Sequence, residues 1–171
     1  MRHAYLGGAP GLGASAVVWL LAGVLTVLRD PKAGMLALVI GGMSIHPLAV
    51  LACRLLGRPG AHRKENSLAP LALESTAILL LGVFLAFVLS GFRVELFFPV
   101  MLIVIGGRYL TFQTLYGWRT YWFCGIILAV LGVFAAMFGF PVVVSVFGGA
   151  LIEAAFALLV FARARGERPA P

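Results

Sequence analysis

The stretch "LFFPVMLIVIGGRYLTFQTLY", residues 96–116, decides how this chain is read. Its first half is as apolar as a bilayer interior. Its second half holds Arg108, Thr111, Gln113, Thr114, Tyr109 and Tyr116, where a span of about 20 residues is still running. Polar groups at such a depth are costly and need a reason to be there.

The rest of the chain places this stretch in a membrane. Of 171 residues, 62% are hydrophobic and 11% charged, and the mean hydropathy is +1.06. Soluble domains run near a quarter charged, so this chain has too little polar surface to cover a water-soluble fold. Six apolar segments stand out, at about 12–28, 34–56, 68–90, 95–115, 119–138 and 141–162. They are continuous rather than alternating, which predicts helices and not barrel strands. The expected fold is therefore all-α: one six-helix transmembrane domain over residues 1–171, ending in a short basic tail at 163–171. "DPKAG" after the first segment reads as a turn rather than a cleavage site, so that segment is taken as a span and not a signal peptide.

Charge sets the expected orientation. One side carries Arg2, Arg54, Arg58, Arg63, Lys64, Arg119, Arg163, Arg165 and Arg168, and the other Arg29, Lys32 and Arg93. Nine against three puts both termini in the cytoplasm. The formal charge of +7 is spent on loops and helix ends, so it points to the lipid bilayer as partner and not to nucleic acid. Cys53 and Cys124 fall near the same membrane face. With no CxxC and no Cys/His cluster, neither a metal site nor a cofactor is signalled.

Glycine pairs give a faint internal echo. "LAGVL" precedes "VIGGM", "LLGVF" precedes "VIGGR", and "VLGVF" precedes "VFGGA". The echo suggests three repeated two-helix hairpins, with small residues letting helices approach closely. It would put His46, Thr111 and Glu153 at equivalent depth. The same glycine faces also suit a homo-oligomer.

The ionisable residues inside the spans define the candidate site. Arg108 lies roughly 10–12 Å from the end of its helix. Glu74 and Glu153 are the carboxylates within reach by depth, and a lone carboxylate in hydrocarbon needs a partner. One guanidinium can serve two carboxylates. His46 sits at a similar level, before Pro47, which frees the carbonyl of Met43 from its helical bond. By helical spacing residues 108, 111 and 115 share a face and Gln113 points elsewhere. The predicted ligand or proton site is thus His46, Glu74, Arg108, Thr111 and Glu153, in the cytoplasmic half. Trp19, Trp118, Trp122, Tyr116 and Tyr121 read as an interfacial belt.

No GxSxG, HExxH or P-loop is present, so no catalytic residue is assigned. Two readings of the polar cluster stay open. It binds or transports a small molecule or a proton, or it belongs to a structural or regulatory subunit in which buried charges only fix helix packing. An intramembrane enzyme using His46 with Glu74 or Glu153 as acid and base is a third, weaker reading.

The runs "HPLAVLACRLLG", "RKENSLAPLAL" and "GGRYLTFQTLYGWRTYW" resemble a family of small bacterial multi-pass membrane proteins known as a domain of unknown function. The resemblance rests on Pro47-Leu48, on Lys64-Glu65-Asn66 with Leu68, and on Gly107 followed by Leu110 and Leu115-Tyr116. It covers helices two to five, and implies a bacterial inner-membrane protein with no activity attached. "RKENSLAP" also places Asn66 or Ser67 where the N-cap of helix three belongs.

Overall fold

The computed structural model describes residues 4–60 and 68–166 of the chain. The expected cap at Asn66 or Ser67, the Lys64-Glu65 run, and Arg2, Arg63 and Arg168 lie outside those residues. Six helices run in chain order: α1 (Ala9–Leu28), α2 (Pro31–Leu55), α3 (Ala69–Ser90), α4 (Phe97–Tyr116), α5 (Thr120–Phe138) and α6 (Val142–Gly166). A 3₁₀ turn leads into α1 at Leu6–Gly8 and another into α4 at Val94–Leu96. Among the described residues there is no strand, and all six helices are long and apolar enough to cross a membrane. The all-α bundle of six spans expected from the apolar segments is what forms.

Local chemistry sets the helix ends. Asp30 caps α2 by accepting a hydrogen bond from the Ala33 amide at 2.8 Å, and Pro31 fills the first turn, where no amide partner is needed. α4 and α5 both stop at a glycine in the left-handed conformation, Gly117 and Gly139. α2 runs on through Pro47 without ending.

α1 and α4 form the centre. Their most apolar stretches are 44% buried, against 11% for α2 and α3. α1 packs on α2 and α6, and α4 on α3 and α5. At the crossing, Trp19 of α1 meets Phe98 of α4 at 6.4 Å, and Phe97 reaches Phe87 of α3 at 5.2 Å. Gly149 of α6 lies against Trp19 and Leu102, where a side chain would be a tight fit. Outer faces carry exposed residues such as Leu28, Ile40 and Leu151, as lipid contact requires.

The glycine pairs do not meet equivalent neighbours. Gly41 faces Val18 of α1 and Gly148 faces Leu131 of α5, each the preceding helix, but Gly106 faces Gly125 and Ala129 of the following helix, α5. Nor do the three residues four places on share an environment. His46 is exposed, Thr111 half-buried and Glu153 fully buried. The expected aromatic belt is also largely absent: Trp19, Trp118 and Tyr121 are buried, and of the tryptophans only Trp122 is exposed. Tyr121 donates its hydroxyl hydrogen bond to the Gly7 carbonyl, which ties the turn before α1 to α5.

Candidate functional site: a cleft between four helices

α2 and α3 follow one another in the chain yet are barely in contact. The space between them, floored by α1 and α4, is a cavity of about 570 Å³. Ligand pockets span roughly 300–1,000 Å³. Met43 on α2 and Leu80 on α3 line it and are also exposed on the outer surface. The cavity therefore opens sideways between those helices, toward the position lipid would occupy.

Its walls are mainly apolar. α4 contributes the face Met101, Ile105, Arg108, Phe112 and Leu115, at three- and four-residue spacing. Arg108 is the cation on that face. Its Nη2 donates to Thr76 Oγ1 at 3.2 Å, and its guanidinium carbon lies 5.4 Å from the centre of the Phe112 ring. Thr76 in turn donates to the Ala72 carbonyl at 2.9 Å, so one hydroxyl both donates and accepts. The Arg108 Nε is buried with no hydrogen-bond partner. Among the described residues no ion pair reaches Arg108, from Glu74, Glu153 or elsewhere.

The five predicted site residues separate. His46 and Arg108 both line the cavity, from α2 and α4. Thr111 does not. Its hydroxyl donates back to the Arg108 carbonyl at 2.7 Å and so is used within its own helix. Residues 108 and 115 share the lining face as expected, with Phe112 in the place expected of Thr111. Glu74 is exposed on α3 and is not part of the cavity wall. It is two residues from both Ala72 and Thr76, which do line it, and so points to the other side of the helix.

Glu153 stands behind the wall rather than in it. It is 0% exposed, and its Oε1 accepts a hydrogen bond from Tyr109 at 2.8 Å. Ser15 and Trp19 of α1 also face this carboxyl group. Its Oε2 and the Trp19 Nε1 are both buried without a hydrogen-bond partner. Ser15, Trp19 and Tyr109 themselves line the cavity. One layer of side chains thus separates the acid from the open space.

Thr76, Tyr109, Ser15 and Trp19 are not among the five site residues expected from the sequence, where Tyr109 stood only among the polar residues of its span and Trp19 only in the expected belt. Tyr109 carries a usable signal, since a phenol inside a span has to find an acceptor. Thr76 carries a weaker one, on the face of α3 shared with Leu79 and Val83.

The family model for a family of unknown function, DUF7010, matches residues 1–163. The chain belongs to that family. The match extends past helices two to five, where the sequence resemblance lay, and takes in α1 and most of α6. No curated protein and no solved structure matches the chain.

Proposed function

We propose that this multi-pass membrane protein binds a small amphipathic anion, an apolar body with one acidic head, in the cleft between α2 and α3. The observation that carries the reading is Arg108, a cation in an apolar cavity with no carboxylate paired to it. A guanidinium in a low-dielectric site attracts an anion strongly, and its forked donors suit a carboxylate, sulfonate or phosphate. The sideways opening suits a ligand that partitions into lipid. The nine-to-three distribution of basic residues supports a cytoplasmic position for both termini and for the Arg108 end of the cleft, and the resemblance noted above suggests a bacterial inner membrane.

The alternative, a structural subunit whose charges fix packing, calls for Arg108 tied to an acid in a dry bundle. A roomy cavity and an unpaired Nε speak for the binding reading instead. The test is a titration of the protein in zwitterionic nanodiscs with octylsulfonate, octanol and octyltrimethylammonium. Octylsulfonate is expected to bind best. Arg108→Gln is expected to weaken it about 10- to 100-fold, the worth of one charge-assisted hydrogen bond. Equal binding of octanol and octylsulfonate, or no loss in Arg108→Gln, would sink the proposal.

A further inference from the structure

The cavity has a counterpart that is closed. α1 and α4 each follow a 3₁₀ turn and each run 20 residues. Each then receives an antiparallel helix seated through two glycines seven residues apart. Gly34 and Gly41 of α2 rest on Ala22, Thr26 and Val18 of α1. Gly125 and Gly132 of α5 rest on Gly106 and Pro99 of α4. The third helix of each group docks through a glycine on the other group's first helix. Gly82 of α3 meets Val104 of α4, and Gly149 of α6 meets Trp19 of α1. Three spans are an odd number, so if every helix crosses the membrane the second group is inverted relative to the first.

The two groups differ in how their second and third helices stand. α2 and α3 stand apart over the open cavity, whose lining runs from the start of α1, the end of α2, the start of α3 and the end of α4 and reaches past the middle of each, to Trp19, Leu38, Val83 and Met101. The equivalent place lies at the opposite end, among α4, α5, α6 and α1. There α5 and α6 are in contact, Gly148 receives the Leu131 side chain, and Leu128 and Val146 are fully buried. One inverted unit is thus open and its mate shut. Paired units of this kind are how membrane carriers expose one site to two faces in turn.

We infer that the chain is a carrier built from two inverted three-helix halves, which moves its ligand across the membrane by exchanging their arrangements. The α5–α6 side opens as the α2–α3 side closes. The inference rests on the same cavity as the binding proposal but goes beyond it, and its first test needs no ligand.

The experiment uses full-length protein in nanodiscs, with Cys53 and Cys124 replaced by alanine. One spin-label pair spans the open cleft (Met43→Cys with Leu80→Cys), and a second spans the closed one (Phe134→Cys with Val144→Cys). All four positions are exposed, so the labels need not disturb the core. Pulsed dipolar distances are expected to show two populations at each pair. Octylsulfonate should shift them in opposite directions, one pair shortening as the other lengthens. A disulfide between Leu131→Cys and Gly148→Cys should remove the open α5–α6 population, and reduction should restore it. In proteoliposomes the same disulfide should abolish uptake of octylsulfonate while its binding in nanodiscs persists. A single distance at each pair, unmoved by octylsulfonate, overturns the carrier inference even if binding is intact. Exchange of distances without octylsulfonate binding keeps the two-state carrier and removes the anion reading alone.

Discussion

Two neighbouring glycines should respond in opposite ways to the same substitution. Gly106 and Gly107 are consecutive in α4, so about 100° of rotation separates the directions they face. A Cβ built on Gly106 would lie 2.6 Å from the Gly125 carbonyl oxygen and 2.9 Å from the Ala129 amide nitrogen, both backbone atoms of α5. The approach is reciprocal, since a Cβ on Gly125 would lie 2.5 Å from the Gly106 oxygen. Ordinary contact is roughly 1 Å longer, so Gly106→Ala must push α4 and α5 apart along an interface shared with Gly132 and Pro99. Overpacking of this kind costs about 1–3 kcal/mol. A Cβ on Gly107 meets nothing within 4 Å. Gly107→Ala should therefore be neutral, or stabilise by up to about 1 kcal/mol through helix propensity. The assay is reversible unfolding in mixed micelles, followed by circular dichroism and by labelling of the buried Cys124. Equal losses in the two variants would refute the packing of α4 against α5 described above.

Three further outcomes follow from the same contacts. Tyr109→Phe removes the donor to Glu153 and should cost about 1 kcal/mol, while Glu153→Gln keeps an acceptor oxygen for Tyr109 and should cost less; the reverse order in the same unfolding assay would contradict the bond seen at 2.8 Å. Gly7→Ala should lose about 2 kcal/mol, because φ is +65° and the new Cβ would enter the Trp118 ring. Adding Trp118→Ala should relieve the clash but not the backbone strain, so full recovery in the double variant would be inconsistent with the turn. For orientation, a green fluorescent protein fused to the C-terminus should fluoresce and an alkaline phosphatase fused there should stay inactive; the opposite pattern would overturn the cytoplasmic placement.

The six spans were legible because hydrophobic length is a local property, readable one segment at a time. Asp30-Pro31 and Gly139 mark helix ends for equally local reasons. Partner choice is not local. Gly41 and Gly106 look alike in sequence, yet one meets the helix before it and the other the helix after it. Hydropathy says that a residue faces something apolar, and lipid and protein are equally apolar. That is why Trp19, Trp118 and Tyr121 read as a belt and are instead buried.

The same limit explains the candidate site. Depth along the chain put Arg108, Glu74 and Glu153 at comparable levels, but depth is one coordinate of three. The missing coordinates are azimuth, which turns Glu74 out of the cleft, and helix order, which sets Tyr109 in front of Glu153. The result is an arginine held by a hydroxyl and a ring rather than by an acid. A carboxylate on the same wall would neutralise the guanidinium from within and leave little attraction for a ligand. Thr76 and Phe112 hold the side chain in place while its charge stays available. A bundle that used the charge only to fix helix order would gain more from the direct pair, and the open cleft beside Arg108 would then have no purpose in the packing.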